Sequence, residues 1–343
     1  MKIDIIQRLC ALHGPSGDEG AVRAFIIDQL PAGVAHRTDP LGNLIVTKRG
    51  DKPAKTSIML CAHMDEVGFM VTNINEDGTL EFSTIGGINA NAILGRRVKF
   101  STGNIGVFGV KPVHLCESSE REAPPNQNTL YVDIGAKSRE QALTYCKPGD
   151  TAVFESEFSQ MADEIICSKA IDDRIGCAIL LDIMQRELPF DMTFLFTAME
   201  EIGCKGAKVA TRSIRPDAAL IIEATTAADT PLTKQGKGEI CGIKKGVAIS
   251  FMDGGTVYDR EYYGKASELA IRHHIPHQPK AGTTGGNDAA AIHVSGSGVR
   301  TLALNVPCRY LHTASGVAAL QDAEACAELA YHLACEIAGG SKA

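Results

Sequence analysis

The chain opens on a helical spacing of apolar residues. Ile5, Ile6, Leu9 and Leu12 fall on one face of a helix. His13-Gly14-Pro15 interrupts it. Ser16-Gly17-Asp18-Glu19 then has the form of a capping box and predicts a second helix through Ile26 and Leu30. Beyond this point the pattern changes to short, uninterrupted apolar runs. Ser57-Ile58-Met59-Leu60-Cys61-Ala62 ends on His63, and similar runs cover Met192 to Ala198, Ala218 to Ile222 and Val299 to Val306. Apolar runs without polar alternation predict strands buried on both faces. Helical patterns at Ile175 to Met184 and Ala319 to Ile337 are interspersed with them. Strand-helix alternation with buried strands predicts an α/β domain, a parallel or mixed sheet covered by helices.

Between about Val71 and Ala162 the pattern changes again. Short runs such as Arg97-Val98-Lys99-Phe100 and Ile105-Gly106-Val107-Phe108 alternate with turn signals at Asp77-Gly78, Gly86-Gly87, Gly103-Asn104 and Pro148-Gly149-Asp150. This reads as all-β. The expected organisation is therefore an α/β domain made of residues 1–70 and 163–343, with a small β domain, residues 71–162, inserted into it.

Composition narrows the function. The net charge of −7 and the absence of a Lys/Arg run argue against nucleic acid or a membrane surface as partner. No apolar run approaches a membrane span. The N-terminal stretch is acidic at Asp4 and too short to be a signal peptide, so the expected location is cytoplasmic. The eleven cysteines are odd in number, scattered and without a Cys-x-x-Cys pair, and read as small buried hydrophobes in a reducing compartment.

The chemistry sits where the strands end. His63-Met64-Asp65, Asp172-Asp173, Glu200-Glu201, Glu223 and His312 each follow a predicted strand or open a helix. In open α/β sheets ligands bind at the carboxyl ends of strands. Taken singly, His63 or His312 reads as a structural histidine, Glu200-Glu201 as a solvated helix face, and Asp172-Asp173 as helix caps. Taken together, two histidines and three carboxylates exceed one tetrahedral zinc and suit two divalent metals, zinc or else cobalt or manganese, sharing one carboxylate. Of the adjacent Glu200 and Glu201, one can bind metal while the other stays free as a general base. Asp65, two residues beyond His63, can hold that ring's tautomer. His273, His274 and His277 lack carboxylates at ligand spacing and read as a solvated helix end.

These stretches resemble the M42 metallopeptidases, a family that includes glutamyl and tetrahedral-shell aminopeptidases. The resemblance rests on Ala62-His63-Met64-Asp65-Glu66-Val67-Gly68, Ala170-Ile171-Asp172-Asp173-Arg174, Glu200-Glu201-Ile202-Gly203 with Gly206-Ala207, and Pro307-Cys308-Arg309-Tyr310-Leu311-His312. It extends over essentially the whole chain. It implies that His63 and Glu223 complete one metal site, that Glu201 and His312 complete the other, and that Asp172 bridges them. It further implies that Glu200 is the catalytic base, with Asp65 in support. Glu223 stands where relatives commonly carry Asp. Gly285-Gly286-Asn287-Asp288-Ala289 resembles a Gly-Gly-Thr-Asp-Ala segment near substrate, which makes Gly286 and Asp288 substrate-binding candidates, with Asn287 as a departure. Gly316 stands where relatives often have Glu. His114 lies at a position like one in the family and reads as a hydrogen-bonded loop residue, with a contribution to the active site from a neighbouring subunit as the other reading. The implied fold is a zinc-peptidase α/β domain with a PDZ-like insertion, and the implied assembly is a hollow homo-dodecamer that admits short peptides. Two other readings compete. A glycoside hydrolase needs two carboxylates and no metal pair, and with no Trp the chain offers few sugar-stacking platforms. A non-catalytic peptide-binding shell would not need Glu200 and all five ligands.

Overall fold

The apolar runs form the centre of an eleven-stranded mixed sheet in the computed structural model, which describes residues 2–118, 126–231, 233 and 240–340. Four strands, Met192–Thr197, Ile58–His63, Ala218–Thr226 and Arg300–Arg309, lie side by side and parallel. On one side the antiparallel pair Leu44–Lys48 and Ala35–Thr38 extends the sheet. On the other side come Gly316–Ala319, Ile165–Ser168 and Ser159–Gln160, while Val247–Ser250 and His277–Lys280 branch from Arg300–Arg309. Every residue of Ile58–His63 is buried, as is every residue of Ala218–Thr226 except Thr226. Strands buried along their whole length need cover on both faces, which explains why polar alternation is missing from their sequence. The helices Ile171–Gln185 and Leu320–Gly339 pack on each other and on these strands. Among the described residues no helix is long and apolar enough to cross a membrane.

The inserted segment closes into an antiparallel barrel of six strands: Gly68–Ile74, Leu80–Ile85, Arg97–Phe100, Ile105–Val110, Leu130–Asp133 and Thr151–Phe154. Phe69, Phe82, Phe108 and Phe154 fill it, with ring centroids 4.6–5.7 Å apart. Its limits differ from the expected 71–162. The first strand begins at Gly68, and Ser159–Gln160 belongs to the large sheet. Gly68 is where the chain crosses between the two units. A Cβ there would stand 2.7 Å from Pro15 Cβ and 2.8 Å from the Ala152 carbonyl, so the crossing admits no side chain.

One local expectation fails. The second helix, Gly20–Asp28, has Glu19 at its N-cap and no side-chain capping bond. Ser16 donates instead to Asp65 Oδ2 at 2.6 Å. The Glu19 carboxylate accepts from Gly17 N at 2.7 Å and from Met199 N at 3.0 Å. Asp65 is fully buried, and a hydroxyl finds a charge-assisted partner there that is stronger than a helix amide. The box residues thus tie the first loop to the site.

Candidate active site

Strand register brings the first candidates together. His63 pairs with Thr197, and Cys61 pairs with Ile221, so Glu223 stands level with His63 at the carboxyl edge of the sheet. Glu200 and Glu201 follow immediately after the Met192–Thr197 strand. Asp172 and Asp173 have non-helical backbone at the head of Ile171–Gln185, with a cis peptide bond between them. His312 lies in the turn between Arg300–Arg309 and Gly316–Ala319, with φ 58°.

The two rings converge on Asp172. His63 Nε2 lies 3.2 Å from Asp172 Oδ1 and 3.3 Å from Glu223 Oε1. His312 Nε2 lies 3.5 Å from Asp172 Oδ2 and 3.2 Å from Glu201 Oε2. Each ring is fixed by its other nitrogen. His63 Nδ1 is 3.1 Å from the Asp65 carbonyl and 3.4 Å from Asp65 Oδ1, and His312 Nδ1 donates to the Gly87 carbonyl at 2.8 Å. Asp65 also accepts from the backbone N–H of Glu200 at 3.0 Å and of Glu201 at 3.1 Å. Asp65 therefore fixes the ring of His63 through its carbonyl and the backbone of the Glu200-Glu201 pair through its carboxylate.

The electrostatics are those of crowded acids. Burial opposes charge on both histidines, but the carboxylates outweigh it. His63 is held protonated well above its ordinary value, and His312 is pushed up to about 11. Burial raises Glu223 and Glu201, while the two histidines overcome burial at Asp172 and hold it well below the usual range. Glu200 is pushed up to about 8, first by burial and then by Asp288, Glu201 and Asp65 against the opposing pull of His63. Asp65, Asp172, Asp173, Glu200, Glu201, Glu223 and Asp288 together outnumber His63 and His312. Buried charge of one sign at this density calls for cations. Nitrogen and oxygen donors in this mixture suit divalent transition metals, so the residues fit a metal centre.

The family model of the M42 glutamyl aminopeptidases matches residues 42–329. The chain belongs to that family. A protein of Acetivibrio thermocellus with a provisional aminopeptidase assignment is 36% identical, over 93% of this chain and 94% of its own. An aminopeptidase of the archaeon Desulfurococcus kamchatkensis superposes with TM-score 0.92 at 31% identity, over 99% of this chain and 95% of its own. The TET1 peptidase of Pyrococcus horikoshii, which can assemble into a tetrahedron or a large octahedral shell, gives TM-score 0.86 at 33% identity over 97% and 99%. This M42 peptidase is thus a hydrolase of peptide bonds and belongs to a metal-dependent family. Of the competing readings, the peptide-bond hydrolase is the one the family supports.

The remaining candidates fall in different places. Asp288 is buried, and its Oδ2 accepts from Thr197 Oγ1 at 2.5 Å. Gly286 is exposed, two residues earlier in the same loop. Asn287 is buried and donates to the Tyr258 hydroxyl at 3.0 Å, so its amide is committed within this M42 peptidase. Gly316 pairs with Ser168 in the sheet. His114 is exposed in the turn Val113–Leu115. His273 caps the end of the helix Arg260–Arg272 and stacks on His332 at 3.8 Å. Sequence reasoning gave Asp173 and Glu19 only capping roles and Gly87 none. Asp173 accepts from the His63 and Gly176 amides at 3.2 and 3.1 Å, and its place in an acidic pair was a readable signal. Gly87 acts through a backbone carbonyl, which leaves no mark in sequence. A cavity of about 580 Å³ lies at the opposite edge of the sheet, beside Asp217 and Arg300, away from these residues.

Proposed function

We propose that this chain is a dinuclear-metal aminopeptidase that removes N-terminal residues from short peptides. The observation that carries the reading is the sharing of Asp172. One of its oxygens faces His63 at 3.2 Å and the other faces His312 at 3.5 Å. A carboxylate addressed from both oxygens suits a bridging ligand. In this reading His63, Asp172 and Glu223 would hold one cation, and Asp172, Glu201 and His312 the other, with zinc, cobalt or manganese all compatible with the donors. When bound, such a pair supplies Lewis acidity to the scissile carbonyl and acidifies the attacking water.

The chain's own residues do the rest. Glu200 takes a proton from the attacking water and returns it to the leaving amine, the role open to a carboxylate that is not itself a metal ligand. Asp65 acts at one remove, as a positioning residue for His63 and Glu200. Gly286 and Asp288 lie on the substrate side, where Asp288 Oδ1 is a buried acceptor suited to the ammonium of a peptide N-terminus. The test is elemental analysis of two variants. Asp172→Ala is expected to lose both metals, whereas Glu223→Ala loses one. Two metals per chain in Asp172→Ala would refute the shared ligand.

The assembly belongs to the same proposal. Met70, Leu94, Ile105, Val107, Leu143 and Tyr145 of the insertion expose 37–48% of their surface. Apolar side chains on an outer face suit contacts between copies. We place the chain in a closed homo-oligomer of tetrahedral symmetry, whose rotations generate twelve equivalent positions. It would enclose the sites and admit short peptides. Eleven cysteines, none of them in a disulfide among the described residues, suit the cytoplasm. Light scattering tests the assembly, and a monomeric mass would sink it while leaving the site chemistry untouched.

A further inference from the structure

The Glu200 carboxylate has a neighbour outside the dinuclear set. Cys204 is the N-cap residue of the helix Lys205–Ile214, with φ 54°, and its Sγ lies 3.4 Å from Glu200 Oε1. Asp288 closes a triangle with them. One donor atom from each of Glu200, Cys204 and Asp288 lies within 4.8 Å of the other two. A thiol touching a carboxylate is an ordinary contact and would mean little alone. The second observation is on Asp288. Its Oδ2 is taken by Thr197 Oγ1 at 2.5 Å and Cys61 Sγ at 3.7 Å, but its Oδ1 is buried with no hydrogen-bond partner among the described residues. Asp288 is 1% exposed, whereas Glu200 and Cys204 are only partly covered, so the open side of the triangle is the side from which an ion would enter.

The spacing can be tested against a metal. Tetrahedral zinc holds thiolate sulfur at about 2.3 Å and carboxylate oxygen at about 2.1 Å, which sets the two donors about 3.6 Å apart. The 3.4 Å between Cys204 Sγ and Glu200 Oε1 lies close to that edge. Sulfur with two carboxylates is softer than the donor set around Asp172, and zinc accepts it where magnesium or calcium would not.

We propose that Glu200, Cys204 and Asp288 form a third, inhibitory site that takes a zinc ion beyond the two of the dinuclear centre. On binding, the Cys204 S–H bond breaks, its proton leaves to solvent, and the thiolate and two carboxylates coordinate the ion with no change in oxidation state. The Glu200 carboxylate is then occupied and takes no proton from water. The inhibitory consequence rests on the reading of Glu200 as base; the binding does not.

The experiment separates the two. Full-length protein loaded with two equivalents of zinc is titrated with cadmium, and the thiolate-to-cadmium charge-transfer absorption is recorded alongside metal content. The band is expected to saturate at one further ion per chain and to vanish in Cys204→Ala. Asp288→Asn should weaken binding by about a hundredfold or more, beyond what removal of a mere outer partner costs. In parallel, zinc added beyond two equivalents should inhibit the wild type on an aminoacyl chromogenic substrate and spare Cys204→Ala. A band that is absent in the wild type, or unchanged in Cys204→Ala, overturns the site. A Cys204-dependent band without zinc inhibition overturns the inhibitory role and traces the failure to the assignment of Glu200.

Discussion

The two sheets of this protein treat polar groups in opposite ways. In the large sheet, neighbouring parallel strands carry His63, Thr197, Glu223 and Asn305 at 0–7% exposure. In the barrel, Arg97 and Lys99 face outward while Val98 and Phe100 point in, and Ile105 and Val107 face outward beside them. The large sheet tolerates buried charge because each charged group meets another. Glu66, for example, is buried against Lys169 at 2.7 Å and Arg174 at 3.2 Å just behind the site. The barrel unit buries phenyl rings instead, and reaches a site ring through the Gly87 carbonyl, which accepts from His312. Chemistry collects where burial and charge coincide, and the partnered carboxyl edge of the parallel strands is where this fold permits both.

The comparison is tested most severely at Glu200. Glu200→Gln keeps shape and removes the base, so kcat should fall by about 10²–10⁴ while metal content is unchanged. Near-normal turnover with full metal would break the claim that the carboxyl edge holds the base. Next comes the charge balance. In the metal-free protein His63 and His312 are held protonated by their carboxylates. The stabilisation from these pairs is fully present below the ordinary histidine value and is lost as pH rises through the raised ones. Cations must displace those protons, so binding near neutral pH should release at least about two protons and tighten by at least about a hundredfold per pH unit. Calorimetry in buffers of different ionisation enthalpy measures the release, and none at pH 7 would contradict the pairing.

A smaller effect is expected at Ser16, which touches the site only through Asp65. Ser16→Ala removes a hydrogen bond to a buried carboxylate, and metal affinity should fall by about tenfold with kcat at metal saturation little changed. A kcat loss as large as that of Glu200→Gln would place Ser16 in the chemistry itself. Smallest of all should be the effect of the barrel surface on the reaction. Ile105→Glu with Val107→Glu should shift the light-scattering mass downward, yet change kcat on a short substrate by no more than about twofold, as expected of surface changes. Intact assembly would remove those two residues from the contact.

Much of the α/β architecture was legible because buried parallel strands need unbroken apolar runs. The runs from Ser57, Met192, Ala218 and Val299 all supplied central strands. The barrel was legible as β-rich, but its edges were not. Gly68 and Ser159 take their places from close approach to Pro15 and from pairing with Cys167, contacts between residues far apart in sequence. Ser16-Gly17-Asp18-Glu19 misled for a similar reason. A local capping pattern lost to Asp65 and Met199, partners that no local pattern can reveal.

Sequence by itself determined the residue types of the site and their position after strands, because apolar periodicity and strand ends are properties of short segments. It determined the family as well, since the motifs stand in the order that family carries. Tertiary structure alone decided that His63 and His312 address opposite oxygens of Asp172, and that Asp65 holds both a ring and the backbone of Glu200 and Glu201. It also decided that Cys204 and Asp288 flank Glu200. Those facts depend on register between strands and on the packing of loops that meet only after folding. Distance and burial set their energies, and neither is written in the order of residues along the chain.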